Sequence, residues 1–301
     1  MFRCSLNSCC VVVLAVGTLA VLMPTGVAGQ ELGILYVEAL DGVDQFVPGL
    51  TPADMVVSVD GAPVTVVSAE PGDAPMRIAM LVDNGERIND LNATNPLRNG
   101  LNAFLDTLPS QHEIGLFSIA RNPRRLVDFT TDRDELKDGV GLIFPDSGAG
   151  SVLLDGIKET WERRFKDEEA FPVFVLVLTD NALMGSNYND DEYADLLNTL
   201  VFSGVTIHTA MLSTRGGSQV TSFATNLTEN TGGIYENIAV ATGLADVLTS
   251  IATRMGEHFD QVSNRYKVTY DLPDERGAHV GFQMNRPGVR IRLFGDRRMA
   301  Q

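Results

Sequence analysis

The sequence predicts an α/β protein built on a doubly wound, mostly parallel six-stranded sheet, with a small flanking β domain. Three observations lead to this prediction. Strand-like and helix-like segments alternate from residue 76 to residue 262, and the strand at 171–180 is almost entirely apolar. Short β-type segments precede and follow this alternating region. Such alternation indicates parallel strands joined by helices that cover both faces of the sheet.

The N-terminal residues are set apart from this fold. Arg3 precedes an apolar run at 9–23, and small residues then offer a cleavage site near Ala28-Gly29. This is the layout of a secretory signal peptide, and the run is shorter than the roughly 18 to 20 apolar residues that span a bilayer. We therefore predict a signal peptide at 1–29 and an exported protein (periplasm, cell envelope or extracellular) without a membrane span after cleavage. The alternative is an uncleaved membrane anchor.

Composition excludes several classes of function. All three cysteines lie in the predicted signal peptide, so the mature chain has no disulfide, thiolate nucleophile or cysteine metal site. The formal net charge is −16, and a chain this acidic is repelled by phosphate backbones, which argues against nucleic-acid binding. Basic residues cluster mainly at 121–125, 163–166 and 286–298. We interpret the first two clusters as solvated faces.

Two groups of β-type segments flank the alternating region. Before it lie a strand at 35–40 and a hairpin, 55–60 and 63–68, around the turn signal Asp60-Gly61. A linker is predicted at 71–75. After the alternating region lie strands at 267–272, 279–284 and 289–294. Because both groups are too short to fold separately, we predict that segments 30–75 and 263–301 pair into one β domain, with the α/β domain 76–262 inserted between them.

The alternating region supplies the elements of the main sheet. The predicted strands are, in chain order, 76–83, 114–120, 126–130, 171–180, 205–212 and 234–238. Apolar residues three and four positions apart, and acidic helix starts, predict helices at 97–108, 131–142, 151–165, 193–201, 220–229 and 244–259. His208 lies in an apolar strand and is predicted to be a core residue. The acidic loop 187–192 is predicted to begin a helix, because it lacks the ligand spacing of a calcium-binding hand.

Three polar residues fall where a ligand site is expected in such a sheet. Ligands bind beyond the carboxyl ends of the strands, where strand order reverses, and the order 3-2-1-4-5-6 places the first strand beside the fourth. Asp83 ends the first strand, Asp180 ends the fourth, and Ser151 opens the helix that leads to the fourth. Two carboxylates and a hydroxyl suit a hard cation such as Mg²⁺. The alternative is that both acids only cap the helices that follow.

Three segments carry a specific resemblance. The stretch IAMLVDNG at 78–85, the loop SGAGSVL at 147–153 and VLVLTDN at 175–181 resemble, in order and spacing, the segments that build the metal-ion-dependent adhesion site of von Willebrand factor A (vWA) domains. The flanks 47–55 and 266–292 resemble those of a bacterial class of exported vWA-related proteins. The resemblance covers essentially the whole mature chain. It implies a Rossmann-like vWA fold and a protein-binding function.

The sequence also departs from that family. The first family segment reads Asp-x-Ser-x-Ser, with two serine hydroxyls that bind the metal, whereas here it reads DNGER. Gly85 offers no ligand, and Arg87 places a cation where a ligand is expected. Ser151 stands at the usual threonine position, which preserves a hydroxyl. The adhesion site implied by the resemblance is therefore degenerate.

The resemblance carries over only Asp83, Ser151 and Asp180 as metal ligands. Our hypothesis is that Arg87 fills the site as a built-in cation beside the two aspartates, because a guanidinium competes with Mg²⁺ for the same carboxylates. We therefore expect no cofactor. The alternative is that Glu86 replaces a lost ligand and Mg²⁺ binding survives.

Catalytic motifs are missing from the sequence. The four histidines are dispersed, and there is no His-Glu-x-x-His pair, Gly-x-Ser-x-Gly elbow or phosphate-binding loop. We therefore predict a non-enzymatic, exported scaffold module whose partner is another protein. The alternatives are a Mg²⁺-dependent adhesion protein, a structural envelope component, or a metal-dependent hydrolase that uses Asp83 and Asp180 with Glu86 as the candidate base.

Overall fold

The computed structural model describes residues 32–166, 170–179, 185–212, 218–273 and 279–295, and these form three β-sheets and seven α-helices. The strands are β1 (Leu32–Leu40), β2 (Met55–Val59), β3 (Ala62–Val64), β4 (Val66–Pro71), β5 (Met76–Val82), β6 (Glu113–Ser118), β7 (Arg124–Thr130), β8 (Phe171–Thr179), β9 (Thr206–Leu212), β10 (Tyr235–Ile238), β11 (Arg265–Asp271), β12 (Val280–Met284) and β13 (Arg290–Phe294). The helices are α1 (Glu86–Asp90), α2 (Thr94–Thr107), α3 (Arg133–Gly141), α4 (Leu153–Arg164), α5 (Asp190–Phe202), α6 (Gln219–Thr231) and α7 (Leu244–Val262). The predicted signal peptide and its cleavage site lie outside the described residues.

The central sheet has six strands in the order β10-β9-β8-β5-β6-β7. The first strand of the alternating region, β5, lies between its second and fourth strands, β6 and β8, and all neighbouring pairs are parallel except β6 and β7. This is the predicted doubly wound, mostly parallel sheet, and the predicted strand order is confirmed. The order places the carboxyl ends of β5 and β8 side by side.

Strand β8 shows why the sheet takes helices on both faces. All nine of its residues are buried, and successive side chains point to opposite faces. Val173, Val175 and Val177 pack into a core with α2, α3 and α7, whereas Phe174, Leu176 and Leu178 pack into a second core with α4, α5 and α6. The apolar run in the sequence therefore reflects burial on two sides.

Polar residues fix the ends of several helices. Asp132 caps α3 by accepting hydrogen bonds from the backbone N–H groups of Asp134 and Glu135. Asn189 and Glu192 form a reciprocal capping box at the start of α5, so the acidic loop begins a helix, as predicted. Among the helices described, none is both long and apolar enough to cross a membrane.

The segments on either side of the α/β region pair with each other, as predicted. Strands from both ends of the chain form one antiparallel sheet, β13-β1-β11-β4, and another, β12-β2-β3. The two sheets share an apolar core that includes Leu35, Val57 and Val268. The predicted hairpin joins β2 to β3, and Asp60 and Gly61 adopt positive φ angles of 46° and 84° in its turn.

The structure differs from the predicted elements at several boundaries. Helix α1 was not predicted, β1 begins at Leu32, and β4 continues through Pro71 into the predicted linker. Helix α4 begins at Leu153 because Ser151 pairs with Ala120 in an isolated β-bridge. That pairing keeps Ser151 beside the end of β6 and outside the helix.

Candidate functional site

Asp83 lies at the carboxyl end of β5, where the sequence places it. Its backbone N–H donates to the Val177 carbonyl at 2.9 Å, so the pairing with β8 continues up to this residue. The side chain is only 1% exposed. Its Oδ1 accepts a hydrogen bond from Gly85 N–H at 2.9 Å, and its Oδ2 accepts one from the Thr179 hydroxyl at 2.8 Å. Burial raises the pKa of Asp83, although these bonds lower it in part.

Gly85 brings the loop that contains Ala149 close to Asp83. A Cβ atom at position 85 would lie 2.9 Å from the Ala149 carbonyl oxygen and 3.2 Å from Asp83 Oδ1. The first distance is too short, and it involves a backbone atom that cannot rotate away. The loop that contains Ala149 therefore occupies the space that a serine side chain would need, and only glycine fits at position 85 without a shift of the backbone.

Ser151 retains a hydroxyl in a buried position. Its Oγ has no hydrogen-bond partner among the described residues. The residue is held by its backbone, because it pairs with Ala120 and its carbonyl accepts from Gly185 N–H at 2.7 Å. Ser151 is thus the one predicted ligand whose side-chain oxygen is uncommitted in the described structure.

Asn84 joins the loops of this edge and was missed by the sequence reasoning. Its Nδ2 donates to the Phe144 carbonyl at 2.8 Å, and its Oδ1 accepts from Ala120 N–H at 3.3 Å. Its own carbonyl accepts from Asp146 N–H at 2.8 Å. The available signal was an amide directly after a strand-end acid, a residue type that commonly bonds to nearby backbone.

Of the residues predicted to modify the site, Arg87 and Glu86 lie on α1 and differ in their exposure to solvent. Arg87 Nη1 pairs with Asp90 at 3.8 Å, and its side chain is 22% exposed. The hydrogen bonds described for the Asp83 carboxylate come from Gly85 and Thr179. Glu86 is exposed at the start of α1. The hypothesis that Arg87 fills the site stays a prediction, because Asp180 lies outside the described residues.

The described donors fall short of the set that a Mg²⁺ adhesion site uses. Mg²⁺ requires near-octahedral oxygen ligands, including one or two carboxylates. Asp83 and Ser151 Oγ are present, whereas position 85 has no hydroxyl and position 87 is an arginine. Within the described ranges, no three His, Cys, Asp or Glu side chains are grouped so that they could hold a metal ion. Metal binding would need Asp180 as a second carboxylate.

A cleft of about 290 Å³ lies beside these loops. Leu142 and Phe144 are on its wall and are 60% and 62% exposed, so two large apolar side chains face solvent at the same cleft. The Arg98 guanidinium lies 4.5 Å from the Phe144 ring centre and donates to the Ile143 carbonyl at 2.6 Å. The exposed ring is therefore held in place before any partner arrives.

His208 is a core residue, as predicted. Its side chain is buried, and its Nδ1 accepts a hydrogen bond from Ile234 N–H at 3.1 Å. Burial lowers the pKa of His208 to about 3. The imidazole is therefore neutral at physiological pH and links β9 to the segment that leads into β10.

The strand order, the acid after β5 and the serine loop before α4 together define a vWA-like α/β fold. A von Willebrand factor type A protein from Catenulispora acidiphila shares this fold, with a TM-score of 0.51 at 10% identity, over 76% of this chain and 51% of that chain. This chain has a vWA-like fold and spans about half the length of that protein.

Two further solved structures are similar. BatB from Bacteroides thetaiotaomicron gives a TM-score of 0.48 at 11% identity, over 60% of this chain and 99% of that chain. Proximal thread matrix protein 1 from the mussel byssus gives 0.48 at 13% identity, over 79% of this chain and 51% of that chain. No protein-family model matches the sequence, and no curated protein sequence matches it. The fold assignment rests on the Catenulispora structure.

Proposed function

We propose that this chain is an exported, non-enzymatic protein-binding module that engages a partner protein at the carboxyl-end edge of its sheet without a metal ion. The observation that carries the proposal is the pair of exposed apolar side chains, Leu142 and Phe144, beside the degenerate adhesion site. Export is proposed from the N-terminal apolar run at 9–23.

We propose that the partner binds without a metal ion because of the packing around Asp83 and Gly85. Both carboxylate oxygens of Asp83 already accept hydrogen bonds, and the Ala149 carbonyl occupies the space beside Gly85. Arg87 supplies a positive charge to the same loop. In the resembling family a partner carboxylate often completes the coordination of the metal. Without a metal, shape and hydrogen bonding have to provide recognition.

The cleft has the composition of a protein-binding surface. Aromatic side chains in fixed positions contribute most of the energy at such interfaces, and a polar rim adds hydrogen bonds. Phe144 is the aromatic group, and Asn84, Arg124 and Asp146 line the same cleft. Asp146 is held in turn by Arg121, which donates to both of its carboxylate oxygens at 2.9 and 3.2 Å.

The proposal is tested by affinity capture from an envelope extract with Phe144→Asp as the test variant. Phe202→Asp is the matched control, since Phe202 is 88% exposed at the end of α5 and does not line the cleft. We expect the wild type and the control to retain the same partner, Phe144→Asp to lose it, and EDTA to have no effect.

Three results would contradict this proposal. Loss of the partner in EDTA with recovery in Mg²⁺ would establish the metal-dependent adhesion alternative. Retention of the partner by Phe144→Asp would remove the cleft from recognition. Metal-stimulated turnover without a captured partner would favour the hydrolase. Circular dichroism of each variant separates loss of binding from loss of fold.

A further inference from the structure

We propose that the edge of the six-stranded sheet carries a second binding site, an arginine-lined cleft between β7 and α4 that takes an extended acidic segment of a protein. Arg124 and Arg125 come from the start of β7, and Arg163 and Arg164 come from the end of α4. The cleft that they line has a volume of about 320 Å³. This cleft lies beside the carboxyl-end cleft and shares Arg124 with it, but its other arginines do not line that cleft, and the site goes beyond the function proposed above.

The fold brings together two basic clusters that the sequence separates. They were interpreted from the sequence as two solvated faces, but Arg164 at the end of α4 reaches Asp128 of β7, and the arginines of both elements line one cleft. Phe117 of β6 provides an apolar wall, and Thr160 of α4 provides a buried hydroxyl group. A cleft with cationic, apolar and hydroxyl surfaces has the chemistry of a binding site.

The charges in the cleft are only partly balanced. Asp128 accepts hydrogen bonds from both Arg125 and Arg164, the latter at 3.4 Å, and Glu159 pairs with Arg163 at 3.1 Å. Among the residues that the structure describes here, two carboxylates pair with these four guanidinium groups, a formal excess of two positive charges. The described residues form no ion pair with Arg124. This local excess is opposite in sign to the formal net charge of −16 for the chain.

Guanidinium groups that still have unused N–H donors favour carboxylate ligands. Each has five N–H donors in a planar fork that matches a carboxylate in a bidentate arrangement. The ion pairs within the cleft use only some of these donors. A carboxylate that enters the cleft can therefore bind the arginines without displacing Asp128 or Glu159.

The position of the cleft indicates an extended peptide as the occupant. Strand β7 is the last strand of the sheet, and none of the described strands lies beyond it. The outer backbone groups of an edge strand can pair with an added strand, which gives affinity, while side chains give specificity. A long nucleic acid is disfavoured because the acidic remainder of the chain repels it.

The proposal is tested by fluorescence anisotropy with a dye-labelled peptide of eight glutamates and a matched peptide of eight glutamines. The test variant is Arg125→Gln/Arg163→Gln, which spares Arg124 because that residue also lines the carboxyl-end cleft. The control is Arg290→Gln/Arg292→Gln on β13, where the two arginines are also exposed and each also pairs with one acid, Asp44 and Glu38. Both double variants remove two positive charges.

We expect the glutamate peptide to bind the wild type and the control to within about twofold, and to bind the test variant about tenfold more weakly or worse. Added salt should weaken the binding. Equal losses in the two double variants, equal binding of the glutamine peptide, or no binding of the glutamate peptide at low salt would each overturn the proposal.

Two further measurements define the ligand and the independence of the site. Displacement of the peptide by inorganic phosphate or a short DNA strand at lower concentrations than unlabelled peptide would overturn the choice of an acidic protein segment. The partner captured through Phe144 should be retained by Arg125→Gln/Arg163→Gln. Loss of that partner together with the peptide would overturn the claim of a separate site, whereas failure of the Phe144 experiment alone leaves this site unaffected.

Discussion

Asp83 combines the chemistry of a ligand with the cost of a buried charge. Its pKa is raised above the ordinary aspartate value of 3.8, chiefly by burial. A raised pKa in the folded state means that this carboxyl stabilises the fold below pH 3.8, and that the contribution is lost as pH rises through the folded pKa. At neutral pH the buried carboxylate is therefore a cost to the fold, which its hydrogen bonds from Gly85 and Thr179 offset only in part.

The variant Asp83→Asn tests this cost. The amide oxygen can accept from Gly85 N–H, and the amide group can donate to the Thr179 hydroxyl, so both contacts survive without a charge. We expect the free energy of unfolding at pH 7 to rise by about 1 kcal/mol, with the advantage over wild type shrinking as pH falls towards 4. Urea unfolding at several pH values measures it. The control Glu86→Gln, at an exposed position, should show no such trend, and a less stable Asp83→Asn protein at pH 7 would contradict the argument.

Gly85 gives a second prediction at the scale of one residue. The substitution Gly85→Ser restores the residue that the adhesion motif uses, but its Cβ would lie 2.9 Å from the Ala149 carbonyl. We expect a loss of about 1–3 kcal/mol in stability, because a tightly packed site cannot accept the added atoms without shifting. Thermal unfolding measures it, with Gly141→Ser as the control, since a Cβ there has no neighbour within 4 Å. If the Gly85→Ser protein is as stable as wild type and gains further stability from Mg²⁺, the prediction is wrong, and the loop that contains Ala149 can move to admit the serine side chain.

Among the secondary-structure elements, long apolar patterns were predicted well and long-range backbone contacts were not. The run in β8 and the apolar stripe of α7 identified both elements, because burial on a sheet or helix repeats at fixed spacing. Helix α1 has only five residues, too few for a periodic pattern. Ser151 was predicted to begin α4, but its bridge to Ala120 depends on a residue 31 positions earlier in the sequence. No local pattern encodes such a partner.

Asn84 ties two loops together at the carboxyl-end edge, because it bonds to Ala120 after β6 and to Phe144 and Asp146 in the loop before Ser151. Replacing Asn84 with alanine removes the side-chain bonds to the Phe144 carbonyl and to Ala120 N–H. We expect Asn84→Ala to cost about 1–2 kcal/mol, and to speed amide hydrogen exchange at residues 142–151 more than in the core strands. Asn89→Ala on the exposed side of α1 is the control. Uniform acceleration across the whole sheet would indicate global destabilisation instead.

At the scale of the whole molecule, the ends of the chain stabilise each other across the inserted α/β region. The Tyr266 hydroxyl of β11 donates to the Val47 carbonyl at 2.9 Å and accepts from Leu50 N–H at 3.1 Å. The sequence predicted that the flanking segments pair, because neither group could bury enough surface alone. It could not predict the two sheets or their register, since these depend on which strand of one segment lies beside which strand of the other.

Two buried histidines make the stability of the whole molecule sensitive to acid. Burial lowers the pKa of His208 to about 3 and that of His112 to about 4, from 6.5. Each Nδ1 accepts a backbone N–H, from Ile234 and Met76 respectively, which protonation would abolish. Because the folded state disfavours the proton, stability is present above pH 6.5 and is lost as pH falls towards the folded pKa values, by up to about 1.4 kcal/mol per pH unit for each group.

The variant His208→Asn separates this effect from the titration of surface carboxylates. Asparagine can accept from Ile234 N–H through Oδ1 and does not ionise, although its smaller side chain lowers stability at pH 7. Urea unfolding between pH 7 and 4.5 should show that the deficit relative to wild type shrinks as pH falls, because only the wild type has to protonate a buried imidazole. His279→Asn, at an exposed position, is the control. A deficit that stays constant over this range would mean that His208 contributes packing alone, and that acid unfolds the protein through its carboxylates.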